Sequence, residues 1–389
     1  MLSYLIAYLY AAIMSRLSAG QRPRSIVLGT RSSVLAMAQT EIVRQHLLAA
    51  FPDLEITIEA IKTAGDKNLV VPLHQMEAKS LWTQELEVLL WEHKVDVVVH
   101  SLKDMPTQLP PSCHLAAILE REDPRDAFVA RAGKPYTCLA NLPAGAIVGS
   151  SSVRRMAQVQ RLFPHITLVD CRGNVPSRLR KLDGEDPNCA IDYDALILAS
   201  AGLLRLGLGH RITQYLDAPE VLHAVGQGAI GIETRDGDEK VMELLAASGM
   251  NHGPTAKACW AERSLLRTLE GGCSVPIGVK TSWESDGQLR MLARVSSVDG
   301  AQVVEADECA AVSNQEEAET FGRAVAQKLV ELGATPILKK IEADKLAKEA
   351  EKRESAAQAA ARASQADEAE QESESVVLVE QMEESIVHA

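Results

Sequence analysis

The sequence of 389 residues predicts an α/β protein in which helices cover both faces of the sheets. Short runs of apolar and β-branched residues, such as SIVLGT and VDVVVHS, alternate with segments of helical pattern. Strands this uniformly apolar are typical of sheets buried on both faces, and their alternation with helices is typical of βαβ units. Because the length exceeds what one core usually fills, we expect two or three domains with extensions.

The elements are predicted in order along the chain. The first strand, SIVLGT, is followed by a helical segment over 33–50 and a second strand, LEITIEAI. The later predicted strands are VDVVVHS, AIVGSSS, ITLVDC and YDALILAS. Polar or glycine-containing segments at 121–126, 183–194 and 248–255 are predicted breaks between elements. The sequence shows no internal repeat of fixed period.

Charge and cysteine content argue against several classes of protein. Residues 341–389 hold 13 acidic and 5 basic side chains, so they carry −8 of the net charge of −13 and leave only −5 to the rest. An acidic body without a general basic field argues against a nucleic-acid partner. The seven cysteines are odd in number and include no Cys-x-x-Cys pair, so we expect neither a disulfide framework nor a metal site.

The two ends of the chain are expected to lie outside the folded body. The apolar run MLSYLIAYLYAAIM is too short to span a bilayer and has no basic residue before it, so neither a membrane partner nor a secretory signal is indicated. Arginines precede the first acidic residue, Glu41, which leaves an organelle transit peptide as one interpretation and a true start at Met14 as the other. Residues 341–389 are predicted to be an exposed helix or a disordered tail.

Two charged residues directly follow a predicted buried strand. In VDVVVHSLKDMP, residues 95–106, Lys103 and Asp104 lie just beyond the strand. Ligands of open α/β sheets bind at the carboxyl ends of the strands. A carboxylate beside a cation can stay ionised and face a developing positive charge, so Asp104 is a candidate for acid–base or electrostatic catalysis. Taken alone, the motif favours a solvated turn.

Further cations and hydroxyls follow other predicted strands. GSSSVRR places Ser151, Ser152, Arg154 and Arg155 at a helix N-terminus, where they can hold an anion; a capped helix with a basic exposed face is the alternative. Several arginines at one edge of a sheet indicate a small polyanion, in particular a polycarboxylate. The other arginines that follow strands are Arg31, Arg172, Arg178 and Arg205.

The segment AVGQGAIGIE satisfies the G-x-G-x-x-G spacing of dinucleotide-binding proteins at Gly226, Gly228 and Gly231. No long apolar strand precedes it, and no βα unit ending in an acidic residue follows it, so a dinucleotide site is not indicated. We interpret the segment as a tight crossing of the backbone.

The segment EGGCSVPIG places Cys273 directly after two glycines. The preceding TAKACWAERSLLRTLE has the apolar face of a helix, so Gly271 and Gly272 mark its end. Glycines without side-chain bulk allow another molecule to approach closely. No histidine is placed by the sequence to activate this cysteine as a nucleophile, and covalent attachment of a bulky group fits the loop better.

Taken together, these motifs resemble the porphobilinogen deaminase family over about residues 25–340. Any one of them is a weak signal, but their combination in the right order is highly specific. The motifs are GTRSSVLA, TAGDK, VVHSLKDMPT, GSSSVRRMAQ, RGNVPSRLRKLD, LASAGLLRLG, AVGQGAIGIE and LEGGCSVPIG.

The resemblance implies three domains: two that are similar to periplasmic binding proteins, with mixed sheets around a cleft, and a small α+β third domain. The expected boundaries are 1–24 for an N-terminal extension, 25–121 with 224–247 for domain 1, 122–223 for domain 2, 252–340 for domain 3 and 341–389 for the tail.

The resemblance also implies an activity. Members of the family join four porphobilinogen molecules head to tail, with loss of ammonia, to a dipyrromethane cofactor, and release the linear tetrapyrrole by hydrolysis. The cofactor would be bound to Cys273 through a thioether, which survives hydrolysis while the far end of the chain grows. A monomer in the cytoplasm is expected, with a plastid or mitochondrion as the alternative if a transit peptide is present.

Site residues follow from the same resemblance. Asp104 matches the family's catalytic aspartate and would protonate the leaving amine and stabilise the cation that remains. Each pyrrole ring brings an acetate and a propionate, which require cationic partners. The implied cofactor-binding residues are Lys103, Ser151, Ser152, Arg154, Arg155 and Arg178, and the implied substrate-binding residues are Arg31, Ser33, Arg172 and Arg205.

Two positions in AKSLWTQELE depart from the family pattern. Trp82 stands where many relatives have phenylalanine and Gln84 where lysine is common, which puts local packing and one positive charge in doubt. The main rival function is a two-lobed anion-binding protein or a regulator's effector domain, and a dinucleotide-dependent oxidoreductase is a more distant one. A binding protein explains the arginines but not Cys273, and the sequence contains no helix-turn-helix pattern for a regulator.

Overall fold

A computed structural model describes residues 22–63, 82–269, 275–347 and 350–351. The chain divides into two compact units, Met1–Ile337 and Leu338–Ala389. In the second unit, residues 338–347 are helical. Most of the predicted N-terminal extension, most of the TAGDK motif, Cys273 and most of the predicted tail lie outside the described residues.

The first unit contains strands and helices that alternate as the sequence predicts. The strands are β1 (Ser25–Arg31), β2 (Glu55–Ile61), β3 (Val97–Ser101), β4 (Cys113–Ile118), β5 (Asp126–Ala130), β6 (Ile147–Gly149), β7 (Thr167–Val169), β8 (Ala195–Ala199), β9 (Gln214–Leu216), β10 (Ile230–Arg235), β11 (Ile277–Trp283), β12 (Leu289–Ser296) and β13 (Val303–Ala310). The α-helices are α1 (Val34–Ala50), α2 (Gln84–Trp91), α3 (Val153–Leu162), α4 (Val175–Asp183), α5 (Ser200–Arg205), α6 (Glu239–Ala247), α7 (Gly253–Thr268) and α8 (Gln315–Glu331).

Two five-stranded sheets share one topology. Their strand orders are β2-β1-β3-β10-β4 and β7-β6-β8-β5-β9. In each sheet the first three strands are parallel, and the fourth, β10 or β5, is antiparallel to both of its neighbours. In each sheet, the fourth strand directly follows a segment in which the chain crosses from the other sheet: β5 follows β4, and β10 follows β9. The predicted α/β class with two mixed sheets is therefore confirmed.

Helices cover both faces of the first sheet. Alternate residues of β3 point to opposite faces, so Val97 and Val99 pack in one core cluster with α1 and α6, and Val98 packs in another with Leu86 and Leu90 of α2. All five side chains are buried. Burial of each aliphatic side chain contributes about 1.5–3 kcal/mol, which is why the continuous apolar run predicts a doubly covered strand.

The second sheet follows the same rule, with Phe128 and Ile197 on the face covered by α3, and Leu196 and Leu198 on the face covered by α4 and α5. The predicted strands AIVGSSS and ITLVDC are shorter than expected, because β6 ends at Gly149 and the serines lie beyond it.

The third sheet, β11-β12-β13, is antiparallel. It lies with helices α7 and α8, which are packed against each other: the backbone of Gly322 approaches Ala261 so closely that a Cβ atom would be 2.1 Å from its carbonyl oxygen. The predicted small α+β domain is present. The exact boundaries given above for the three domains and the two ends stay a prediction.

The interpretation of AVGQGAIGIE as a tight backbone crossing is confirmed. Gly226 and Gly228 have φ angles of +69° and +88°, which favour glycine. A Cβ atom on Gly228 would lie 2.3 Å from the carbonyl oxygen of Glu122, in the other chain segment that crosses between the two sheets. The two crossings are joined here by a hydrogen bond from the Glu122 amide to the Gly228 carbonyl oxygen, 3.1 Å.

Replacing Gly228 with alanine should destabilise the protein more than the same change at Gly237, which has a φ of +76° and nothing within 4 Å of an added Cβ. Gly237→Ala should cost about 1–2 kcal/mol through the left-handed backbone alone. Gly228→Ala adds a backbone clash and should cost about 1–3 kcal/mol more. Denaturant unfolding measures both values, and equal losses would contradict the close approach.

Candidate functional site

The site begins at the carboxyl ends of β1 and β3, which are parallel neighbours in the first sheet. Arg31 is the last residue of β1. A single 3-10 turn, Leu102–Asp104, follows β3 directly. Leu102 and Met105 are buried in one core cluster, so they anchor this turn at both ends. Lys103 and Asp104 are thereby held, half-buried, at the sheet edge where the sequence predicted a ligand site.

The carboxylate of Asp104 faces the guanidinium group of Arg31. The Arg31 Nη1 to Asp104 Oδ2 distance is 3.9 Å, and the side chains are 21% and 31% exposed. This is an ion pair by distance, but it is too long for a hydrogen bond. The carboxylate therefore lies next to the Arg31 cation without a direct hydrogen bond between these two atoms. The turn is half-buried rather than fully solvated.

Three predicted hydroxyl groups lie just after strands, those of Ser151 and Ser152 after β6 in the second sheet and that of Ser33 after β1 in the first. Ser152 caps α3 by accepting a hydrogen bond from the Arg155 amide, and Ser33 caps α1 in the same way from the Ala36 amide. The hydroxyl of Ser151 donates to the carbonyl oxygen of Cys171 at 2.7 Å. The two capping hydroxyls accept in these bonds, so their O–H protons remain for a ligand.

Asp126 is the buried acceptor of the two adjacent arginines. Its Oδ2 accepts from Nη1 of Arg154 at 2.6 Å, and its Oδ1 accepts from Nε of Arg155 at 2.9 Å and from Nε2 of Gln227 at 2.8 Å. Burial alone would raise the pKa of Asp126, but attraction to Arg154 and Arg155 outweighs it, and the pKa lies well below its usual range. The carboxylate stays charged, and it neutralises only one of the two arginines.

The alternative of a capped helix with a basic exposed face is wrong in its second part. The helix is capped, but Arg154 and Arg155 are only 4% and 6% exposed. They also donate to main-chain oxygens, Arg154 to Leu222 at 2.5 Å and Arg155 to Ile197 at 3.2 Å. A guanidinium group buried this deeply requires such partners.

Arg172 and Arg178 extend this cluster. Arg172 is 6% exposed, and its Nη1 atom is buried without a hydrogen-bond partner among the described residues. Nε of Arg178 donates to the carbonyl oxygen of Gly173 at 2.7 Å. The pKa of Arg178 is lowered by burial and then by the nearby charge of Arg155, with a smaller contribution from Arg172. Arg155 and Arg172 thus lie close enough to Arg178 to disfavour its charged form.

Lys103 connects the first sheet to this cluster. Its Nζ lies 3.5 Å from Oε1 of Gln227. The pKa of Lys103 falls to about 8, mainly because burial disfavours the ammonium ion; Asp104 opposes this shift and Arg155 adds to it. Lys103 is therefore near the edge of its charged range at neutral pH, and a bound anion would favour the charged form.

Arg205 lies at the backbone crossing. Its Nη2 donates to the Gly228 carbonyl oxygen at 2.7 Å, and burial lowers its pKa while Glu122 opposes the shift. The seven predicted cations of the site outnumber the nearby carboxylates of Asp104, Glu122, Asp126 and Asp170. Such an excess fits a ligand with several carboxylates, and the unpartnered Nη1 of Arg172 marks one place where a carboxylate would bind.

Sequence reasoning missed two residues of the site, Asp126 and Gln227. The sequence places Asp126 at the end of a predicted break and Gln227 within the predicted backbone crossing. Gln227 donates to Asp126 and to the carbonyl oxygen of Pro124, and it lies near Lys103 and Arg155. The one available signal in the sequence was that Gln227 is a polar residue between two glycines that the backbone requires.

Within the part of the chain that the structure describes, no group of three His, Cys, Asp or Glu side chains is arranged to hold a metal ion. The described helices include none long and apolar enough to cross a membrane.

Two family models match the chain. Residues 26–243 match "Porphobilinogen deaminase, dipyromethane cofactor binding domain" and residues 256–331 match "Porphobilinogen deaminase, C-terminal domain". The chain belongs to the porphobilinogen deaminase family. The resemblance seen in the motifs is confirmed, and with it the assignment of a dipyrromethane cofactor to the family's domain that occupies residues 26–243 here.

Curated relatives of the family agree over most of their length. The porphobilinogen deaminase of Yarrowia lipolytica is 49% identical over 326 residues, 82% of this chain and 94% of the relative. That of a Synechococcus species is 50% identical over 320 residues, 82% of this chain and 97% of the relative. A solved structure of the periplasmic aliphatic sulphonate binding protein from Escherichia coli is 12% identical, covers 64% of this chain and 75% of that chain, and has a TM-score of 0.33, which is too low to carry an argument.

Asp126→Asn should destabilise the protein by about 3–5 kcal/mol at neutral pH, because two buried arginines lose their carboxylate. The folded pKa is depressed, so the stabilisation is present above the unfolded pKa of about 3.9 and is lost as the pH falls through the folded value. The difference between variant and wild type should therefore shrink in acid, as urea unfolding from pH 7 to pH 2 would measure.

Asp53→Asn is the matched control, because Asp53 pairs with Arg22 while its side chain is 75% exposed. Water screens that pair, so the control should change stability little. A similar effect of the two substitutions would contradict the buried role assigned to Asp126.

Proposed function

We propose that this chain is a hydroxymethylbilane synthase. It deaminates four porphobilinogen molecules, joins them head to tail to a dipyrromethane held by Cys273, and releases the linear tetrapyrrole by hydrolysis. The observation that carries this proposal is the excess of cations at the site, including Arg172, whose buried Nη1 has no hydrogen-bond partner among the described residues. Every pyrrole ring of the substrate and product carries two carboxylates, so a growing chain matches a site of this charge.

The residues divide by the role that the family resemblance implies for each. Dipyrromethane, when bound, supplies the pyrrole terminus to which the first substrate unit is joined. Lys103, Arg154, Arg155 and Arg178, with the hydroxyls of Ser151 and Ser152, would hold its carboxylates. Ser151 would first have to release the carbonyl oxygen of Cys171.

A second set of residues would bind the substrate. Arg31, Arg172, Arg205 and the hydroxyl of Ser33 would bind its acetate and propionate. Arg31 ends the strand next to the one that leads to Asp104, so a substrate held by its carboxylate brings its aminomethyl group near Asp104.

Asp104 would carry the chemistry. Its carboxyl group gives a proton to the departing nitrogen, which leaves as ammonia, and the carboxylate that results faces the cation left on the substrate carbon. Because Arg31 is 3.9 Å away, the Asp104 oxygens are not committed to a hydrogen bond with it and can approach the substrate.

The three-domain division given above, with Cys273 in domain 3, belongs to the same proposal. We also propose a monomer that acts in the cytoplasm without nucleic-acid or membrane partners. A plastid or mitochondrion is the alternative compartment if residues 1–24 act as a transit peptide.

The covalent attachment is tested by intact-mass measurement of the freshly purified, denatured chain. The wild type should carry the added mass of two joined pyrrole units, because a thioether survives denaturation. Cys273→Ser should lack that mass, since a hydroxyl is a poor nucleophile at this position. Cys309→Ser, which changes an exposed cysteine on β13, is the matched control and should keep it. An unmodified mass in an active wild type would overturn the assignment of Cys273.

Asp104→Asn should lower kcat for porphobilinogen consumption at least 100-fold, in the range that loss of a general acid produces, about 10²–10⁴. The amide keeps the shape of the side chain but has no proton to give. Thermal unfolding should be nearly unchanged, because the side chain is part-exposed and makes no short hydrogen bond to Arg31. Asp236→Asn, an exposed residue beyond the far end of β10, should keep normal kcat. Near-normal turnover in Asp104→Asn would refute the assigned role.

A further inference from the structure

Trp82 lies against the predicted substrate arginine. The guanidinium carbon of Arg31 is 4.0 Å from the centroid of the Trp82 ring. A cation this close to an indole face is attracted by about 0.5–2 kcal/mol, and tryptophan is the strongest aromatic partner for such a contact. The contact therefore helps to restrain the rotamers of this long side chain.

The backbone fixes Trp82 in this position. It comes just before helix α2, whose Leu86 and Leu90 are buried against Val95 and Val98 at β3. The intervening Thr83 is buried as well. Trp82 is therefore tied to the strand that leads to Asp104, whereas Arg31 belongs to the neighbouring β1.

The contact with the ring also bears on where the arginine can bind a carboxylate. All five N–H groups of a guanidinium lie in its plane. When one face is covered by an aromatic ring, a carboxylate binds best at an edge, where two parallel hydrogen bonds are available. The ion pair with Asp104 at 3.9 Å shows that one part of this edge region lies beside the catalytic carboxylate.

We propose that Trp82 is a positioning residue for substrate binding. Its indole holds the Arg31 guanidinium so that a substrate carboxylate is bound at the edge beside Asp104. The inference rests on the proposed function, in which Arg31 binds a carboxylate of porphobilinogen. It gives a role to the tryptophan at a position where many members of the family have phenylalanine.

The first test is steady-state kinetics of Trp82→Leu and Trp82→Phe with porphobilinogen. Trp82→Leu should raise KM about 3- to 30-fold, the range that corresponds to the cation–π contact. Trp82→Phe keeps an aromatic face with a weaker attraction, so its KM should lie between those of the wild type and Trp82→Leu. For both variants kcat should change less than KM, because Asp104 is untouched. Equal KM values for Phe and Leu would overturn the proposal.

The decisive test is a double-mutant cycle with Arg31→Gln. If Trp82 acts through Arg31, Trp82→Leu should raise KM little further once the guanidinium is gone. If Trp82→Leu instead acted only by disturbing α2, the fold-increases in KM of Trp82→Leu and Arg31→Gln would multiply in the double variant. Multiplied effects would overturn the proposal even if each single variant is impaired.

Trp91→Leu is the matched control, since Trp91 lies at the far end of the same helix and is 54% exposed. It should leave KM unchanged, and circular dichroism should show a folded protein for every variant in the cycle. Failure of the wild type to consume porphobilinogen would overturn the proposed function together with this inference. If the wild type consumes porphobilinogen but the KM increases multiply in the cycle, the inference about Trp82 is overturned and the proposed function is not.

Discussion

Buried positive charge that the chain only partly neutralises is the constraint on which this structure depends. A guanidinium group loses its hydration on burial and must regain hydrogen bonds from the protein. Asp126, together with main-chain oxygens, provides them for Arg154 and Arg155. Arg172 keeps one buried nitrogen without a partner among the described residues. The fold thus tolerates a local excess of cations, which an anionic ligand would relieve.

The topology explains how these charges come together. Both five-stranded sheets have three parallel strands whose carboxyl ends meet at one edge, and each receives an antiparallel strand from the crossing chain. The antiparallel strands begin where the parallel ones end, so Asp126 at the start of β5 lies with the residues that follow β6 and β8. The same arrangement places the glycines before β10 beside Lys103. Close backbone approach at Gly228 keeps the two crossings together.

Charge and rigidity act together at the catalytic end of the site. Asp104 is on a turn anchored by buried residues on both sides, and its neighbouring cation, Arg31, is restrained by an aromatic ring on a third element. Under the proposed function, binding would require little rearrangement of these groups, which favours catalysis by groups already oriented towards the charge that develops. A flexible arginine would lose more entropy when a substrate carboxylate bound to it.

The sequence by itself determined the α/β class, the strands that lead to Asp104 and Arg31, and the glycine-dependent crossing, because each is written in a local pattern: an apolar run, its polar end, or a pair of glycines. It also determined the family, through motifs in order. Only the tertiary structure decided that Arg154 and Arg155 are buried, since their partner Asp126 lies 28 and 29 residues away and Gln227 a further 101 residues along the chain from it. Only the tertiary structure likewise showed that the two sheets share one topology. Strand pairing constrains backbone geometry rather than residue identity, so the shared topology leaves no repeat of fixed period in the sequence.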